Sequence, residues 1–366
     1  MHFIVVFLAL GAIPSIVAHA TPSPPSSWHT PHRGSAILSN FSFDSGETLE
    51  SLKIHYQTLG KLKVHPDGTT NAILILHGTT ESSTQLLTAS FADTLFNPGQ
   101  LLDTRKYHII LPDSIGHGNS SKPSNTGLRA MFPRYQYNDM IRAHHALLTQ
   151  HLNIAHTRLI LGVSMGGMHT WMMGEAYPNF SDALMPIAST PVQISGYKRL
   201  WRKFVIKMIT SDPAWHGGAY VEQPLVSLAG ALSLVQTMLS GLVSFSMQYT
   251  TRDATDKFAE ALLLRVKEFD ANDFVYAWNS SHFYDPEPGL GLITAPLTAF
   301  NTADDLMNVA ELGTLERAVE VQMRKGLGKA VVVPTSNQTF GHGSYIKAKL
   351  WEHELRLLLA KTDAHH

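Results

Sequence analysis

The 366-residue sequence contains no cysteine. That one absence excludes disulfides, a cysteine nucleophile and thiolate metal sites. Charge is also scarce: Asp, Glu, Lys and Arg supply 16% of the chain, and 28 basic against 29 acidic residues leave a formal net charge of -1. Such a balance offers no electrostatic footprint for nucleic acid. Nucleotide-binding loops are missing as well, since neither a Walker loop nor a Gly-x-Gly-x-x-Gly turn after a strand occurs. The 20 histidines do not make a metal site: His-Glu-x-x-His is absent, and the adjacent His144 and His145 point to different sides of a helix. No metal and no cofactor is expected.

What is present suits a globular enzyme. Apolar residues make up 44% of the chain, and the length allows one large core with an insertion. Residues Phe3 to Val17 are almost wholly apolar and lead into Ala18-His19-Ala20. The run falls short of the roughly 20 residues that a membrane span needs, and small-x-small is a cleavage pattern. Residues 1–20 are therefore expected to be a secretory signal peptide, and residues 21–40 a Pro/Ser-rich lead-in. Export would give meaning to five Asn-x-Ser/Thr sequons, at Asn40, Asn119, Asn179, Asn279 and Asn337, and a secreted glycoprotein is expected.

From Phe41 onward, strands alternate with helices. Phe41 to Gly60 reads as two edge strands joined around Ser45-Gly46. Buried strands follow at Asn71 to Leu76, Tyr107 to Asp113, Leu159 to Val163 and Ala183 to Ala188, with helices at Ser82 to Phe96 and Asn138 to Leu152. Strands apolar throughout indicate an α/β fold with a mostly parallel sheet covered on both faces. Residues 190–289 then carry helical periodicity with no convincing strand, as a lid inserted into the sheet would. Strands return at Leu292 to Asn301 and Ala330 to Val333, and a last helix is expected over Ser344 to Ala360. The core is thus assigned to 41–189 and 290–366.

The stretch Leu159-Ile160-Leu161-Gly162-Val163-Ser164-Met165-Gly166-Gly167-Met168 places Gly-x-Ser-x-Gly between a strand and a helix. That setting strains the serine backbone, exposes its hydroxyl and aims the N–H of Met165 at a developing oxyanion. A serine nucleophile needs a base, and the base needs a carboxylate. Asn301-Thr302-Ala303-Asp304-Asp305 follows one strand and Phe340-Gly341-His342-Gly343 follows the last. Ser164, Asp304 and His342 are the candidate triad, with Asp304 favoured and Asp305 as the alternative acid. His77-Gly78-Thr79 ends the strand expected to supply the second oxyanion donor, the N–H of Thr79. His117, within Gly116-His117-Gly118, is expected to be structural, and Asp285 to shape a turn. Trp201, Met208, Trp215 and Tyr220 are candidates to line the substrate pocket, Trp215 and Tyr220 foremost, or else to pack the lid.

These motifs, together with Tyr137-Asn138-Asp139-Met140 and Asp212-Pro213-Ala214-Trp215-His216-Gly217-Gly218-Ala219-Tyr220, resemble the homoserine O-acetyltransferase-like branch of the α/β-hydrolase superfamily. The resemblance implies the α/β-hydrolase fold with a helical lid, with Ser164 as nucleophile, Asp304 as acid and His342 as base. It also implies an acidic residue directly after the catalytic histidine and an arginine before the Asp-Met pair, where this chain has Gly343 and Asn138. Hydrolysis of a carboxylic ester, thioester or lactone is therefore expected, with acyl transfer to an alcohol as the alternative and a non-catalytic binding protein third. The expected partner is a small-molecule ester or acyl donor, without nucleic acid or a membrane span, and a homodimer is the oligomer to test.

Overall fold

The computed structural model describes Trp28 and residues 30–363; the expected signal peptide, residues 1–20, lies outside the described residues. Eight strands form one sheet: β1 (His32–Ser42), β2 (Thr48–Leu59), β3 (Ala72–Leu76), β4 (His108–Pro112), β5 (Leu159–Val163), β6 (Leu184–Ile187), β7 (Leu297–Thr302) and β8 (Gly328–Val333). Their spatial order is β1-β2-β4-β3-β5-β6-β7-β8. The β1–β2 and β2–β4 pairs are antiparallel, and every pair from β4 to β8 is parallel.

The apolar runs explain which strands are central. Every residue of β3, β5, β6 and β7 is buried, as expected of parallel strands covered on both faces. One layer of the core gathers Phe91, Phe96, Trp351 and Leu355 against Ile73, Leu161 and Ile187. The other packs Trp171, Met173, Ile293 and Leu148 against Leu74, Ile160 and Leu184. The flanking helices include α1 (Tyr137–Ala146) and α2 (Met165–Ala176).

Between β6 and β7 the chain forms α3 (Gly196–Thr210), α4 (Leu225–Leu239), α5 (Leu242–Gln248), α6 (Arg252–Leu264) and α7 (Ala271–Asn279) without a strand, as the periodicity indicated. This insertion has its own apolar centre of Val205, Ile209, Leu228, Leu232, Val235 and Phe274. The turn between α4 and α5 rests on the core: a side chain on Gly241 would come within 2.5 Å of the Gly341 nitrogen and 2.8 Å of an Asp304 carboxylate oxygen. After β7 come the short α8 (Thr314–Arg317) and the final α9 (Glu352–Asp363). Among the described residues, no single helix is long and apolar enough to cross a membrane.

Four sequence expectations are corrected. The lead-in assigned to 21–40 overlaps β1, which starts at His32, and Trp28 is buried with its indole N–H donated to Asp93 at 2.8 Å. Only Ala36 and Leu38 of that part of β1 are buried, so an edge strand with so few inward residues leaves a faint alternation. The helix expected over Ser82 to Phe96 is broken at Thr88, whose backbone is extended (φ -77, ψ 155); short helical turns stand on either side. β7 begins at Leu297, because Glu287–Leu292 forms a 3-10 segment instead. The last helix starts at Glu352, after two 3-10 turns at Gly343–Ile346 and Ala348–Leu350.

Candidate active site

The site is built where β3, β5, β7 and β8 end. Ser164 follows β5 with φ 54 and ψ -112, a left-handed conformation that a non-glycine residue holds only when its surroundings impose it. The imposition is steric and mutual. A Cβ on Gly162 would lie 2.0 Å from the Gly166 carbonyl oxygen, and one on Gly166 would lie 2.2 Å from that of Leu76. Only glycine lets α2 begin so close to the strands. The Gly166 N–H donates to the His77 carbonyl at 2.9 Å, which ties the elbow to the end of β3.

His342 lies in the loop after β8. Its Nε2 is 2.7 Å from Ser164 Oγ and its Nδ1 is 2.8 Å from Asp305 Oδ2. All three side chains are nearly removed from water, at 7%, 1% and 2% exposure for Ser164, His342 and Asp305. Burial pushes the Asp305 carboxyl up, but the His342 charge, hydrogen bonds from His342 and Asn308, and the Lys198 charge outweigh it and hold the group below its ordinary range. An ionised Asp305 can only accept, so His342 carries its proton on Nδ1 and offers Nε2 as the base toward Ser164.

The acid is therefore Asp305, which corrects the preference for Asp304. Asp304 Oδ2 instead accepts the N–H of Gly341 at 2.8 Å. The reason lies in the turn after β7. Asp305 N–H closes back onto the Thr302 carbonyl at 3.1 Å, which sends the Asp305 side chain beneath His342. Consecutive side chains diverge, leaving Asp304 to face the backbone of the histidine loop. Both carboxylates thus serve His342, one through its ring and one through its loop.

The Met165 N–H stands at the first position of α2, where no intrahelical acceptor exists. The loop after β3 supplies the opposite wall. A Cβ on Gly78 would lie 3.5 Å from Ser164 Cβ, so the Gly78-Thr79 backbone passes directly beside the nucleophile. That loop is clamped from three sides. The Gly78 N–H donates to Glu81 Oε2 at 3.1 Å. His77 Nε2 accepts the Ser114 N–H at 3.0 Å, so its Nδ1 bears the proton and donates to the Gly78 carbonyl at 2.8 Å. His117, expected to be structural, places its ring nitrogens 2.9 Å from the Ile115 carbonyl and 2.6 Å from that of Thr79. Fixed peptides with free N–H groups are what an oxyanion hole requires.

Trp215 and Tyr220, foremost among the candidates to line the pocket, pack within the insertion instead. The Trp215 indole N–H donates to Asn272 Oδ1 at 3.0 Å, and the Tyr220 hydroxyl accepts the Asn272 N–H at 3.1 Å. Trp201 belongs to the same cluster, and Met208 is exposed. Asn138 is exposed on the outer side of α1, so its difference from the resembled family falls away from the site. Beside Thr79 opens a cavity of about 640 Å³, walled by Glu81, Gln85, Asn119, Asp273 and Phe274 among others.

A family model for the alpha/beta hydrolase fold matches residues 71–282. The homoserine O-acetyltransferase of Pelobacter propionicus is 30% identical over 359 residues, covering 87% of this chain and 92% of that protein. The chain belongs to the homoserine O-acetyltransferase-like branch of the α/β-hydrolase superfamily. Among solved structures, esterase E22 superposes with a TM-score of 0.77 at 19% identity, over 90% of this chain and 100% of its own. The homoserine O-acetyltransferase of Bacillus anthracis gives 0.76 at 20% identity, over 90% and 98%. At such identities these two likenesses speak to the fold.

Strand ends and glycine spacing point to Ser164 and His342, which the structure brings together, and to Met165 and Thr79, whose backbone flanks the serine. They do not point to Glu81, Asn308 and Lys198, which touch Gly78, Asp305 and Asn308 from outside any motif. Glu81 carries one faint signal, an acidic residue five positions past the end of a buried strand.

Proposed function

We propose that this protein is a serine hydrolase that cleaves a carboxylic ester through an acyl-enzyme on Ser164. The observation that carries the reading is the continuous hydrogen-bonded series Ser164–His342–Asp305 beside a clamped Gly78-Thr79 peptide. His342 takes the Ser164 proton as Oγ attacks the carbonyl carbon, and the N–H groups of Met165 and Thr79 receive the developing oxyanion. The protonated His342, steadied by Asp305, returns the proton to the departing alcohol. Water activated by the same histidine then releases the acid.

The second reading keeps the acyl-enzyme and hands it to an alcohol. The names of the curated relatives favour it. Gly343 favours hydrolysis: there is room for a side chain, the nearest atom to a Cβ there lying 3.9 Å away, yet this position, acidic in the resembled family, offers no carboxylate to hold an amino-acid acceptor. Turnover of short p-nitrophenyl esters by wild type, lost in Ser164→Ala, is the expected result, and equal rates in both proteins would refute the mechanism. Products formed with excess alcohol separate the two readings, free acid marking the hydrolase and transferred ester the transferase. Export belongs to the same proposal; the exposure of all five sequon asparagines is compatible with it, and N-terminal sequencing of protein from culture medium tests it.

A further inference from the structure

α3 of the insertion carries two buried cations, Lys198 at 7% and Arg202 at 1% exposure. Neither has a carboxylate within ion-pair distance among the described residues. A buried lysine without a counter-ion is costly, so what it touches matters. Arg202 is held mostly by the insertion: Nε donates to Ser281 at 3.0 Å, Nη1 to the Lys198 carbonyl at 3.1 Å, and its guanidinium stacks on Trp278, while toward the core it faces the Tyr137 hydroxyl, away from the triad. Lys198 reaches out of the insertion toward the triad, and its Nζ donates to Asn308 Oδ1 at 2.8 Å. The other end of that amide, Asn308 Nδ2, donates to Asp305 Oδ2 at 2.7 Å, the oxygen that also receives His342.

An asparagine amide can sit either way round, and its neighbours decide. Here the two ends meet opposite charges. Turning the amide over would set its oxygen against the Asp305 carboxylate and its NH2 against the Lys198 ammonium, reversing both contacts. Lys198 thereby commits Asn308 to donating, and the donation fixes the Asp305 oxygen that orients the base. Asp305 Oδ1 is held separately by the Met307 N–H at 2.8 Å, so the carboxylate has no freedom left to rotate.

We propose that Lys198 is a positioning residue for the triad: from α3 it sets the Asn308 amide, and through it the Asp305–His342 pair, so that the acid is fully braced only when the insertion is seated on the core. This rests on the acyl-enzyme reading above. Burial and the Arg202 charge lower the Lys198 ammonium to about 7, while the Asp305 charge raises it, so the lysine is still substantially charged below neutrality.

The test is a double-mutant cycle of Lys198→Met and Asn308→Ala, read as the rate constant for fluorophosphonate labelling of Ser164. Each single change is expected to slow labelling about tenfold, and the pair to slow it about as much as one alone, because the two act as a unit. Multiplying effects, or full-rate labelling in Lys198→Met, would overturn the proposal. Lys198→Gln keeps a donor for Asn308 and is expected to recover part of the rate, which a purely structural role would not give. A second readout needs neither labelling nor a substrate: the downfield proton resonance of His342 Nδ1–H, assigned by its loss in Asp305→Asn. It is expected to move in both single variants, and an unmoved resonance counts against the relay even if the acyl-enzyme reading stands. Absence of labelling in the wild type would sink the acyl-enzyme reading, leaving the resonance to decide the relay. Thermal melts of each variant separate lost folding from lost alignment.

Discussion

The Asp305 carboxylate lies 2.8 Å from His342 Nδ1, and the carboxylate next to it in sequence serves the same loop through the Gly341 N–H. Two adjacent acids therefore have unequal consequences. Asp305→Asn leaves the shape of the site but removes the charge that fixes the tautomer, and a loss of about 10⁴ in kcat is expected from the behaviour of such triads. Asp304→Asn keeps an oxygen that can accept from Gly341, and a loss of only a few-fold is expected by comparison. Steady-state rates of the two variants on one ester check the assignment; the reverse order would return the acid role to Asp304.

Which parts of this could be read from the sequence follows from what fixes each residue. The central strands are apolar throughout and end where chemistry begins, so the elbow and the histidine loop stood out. Asp304 and Asp305 differ by a single turn hydrogen bond to Thr302 that no spacing rule encodes. Lys198 is silent in the sequence because its partner Asn308 lies 110 residues away, whereas Glu81 and Asn308 bond only three residues back, to Gly78 and Asp305, in loops whose course the tertiary fold sets. The broken helix at Thr88 was missed for the opposite reason, since its residues have the composition of a continuous one.

Glu81 is buried beside the nucleophile, accepting from the Gly78 N–H at 3.1 Å and the Tyr345 hydroxyl at 2.5 Å. Burial raises its carboxyl from 4.5 to about 7, against those two hydrogen bonds. Because the folded state binds the proton more tightly, this group's contribution is complete below pH 4.5 and is lost as pH rises toward about 7. In Glu81→Gln the loss disappears. The stability difference between variant and wild type is expected to grow in the variant's favour by about 1.4 kcal/mol per pH unit across that window. Urea denaturation at stepped pH measures it, and a pH-independent difference would mean that Glu81 stays ionised.

His169, on α2, has the opposite sign. It is wholly buried, neither ring nitrogen has a hydrogen-bond partner among the described residues, and it meets Tyr137 edge-on at 4.5 Å. Burial, with the neighbouring His144, His77 and His117, holds its pKa well below 6.5. The unfolded chain takes up the proton first, so stability is intact above 6.5 and falls with acidification. His169→Phe is expected to match the wild-type slope above pH 6.5 and to gain on it by about 1.4 kcal/mol per pH unit below. Parallel curves throughout would show that His169 is protonated in the folded protein.

Gly166 tests the packing of the elbow apart from its chemistry. Its Cβ position lies 2.2 Å from the Leu76 carbonyl oxygen and 2.7 Å from Leu76 Cβ, so alanine must push β3 and α2 apart. A loss of more than about 3 kcal/mol is expected, at the severe end for a single substitution. Denaturant midpoints report it, and a near-neutral effect would mean that the elbow is looser than drawn.

The central claim is a covalent intermediate on Ser164. Quenching the enzyme during turnover of a slowly released ester and mapping the acyl group by peptide mass spectrometry tests it most directly. The expected result is an adduct on the peptide containing Ser164, accumulating in His342→Ala-sensitive fashion and absent in Ser164→Ala. Turnover with no adduct on that peptide, or with the group on another residue, would contradict the account.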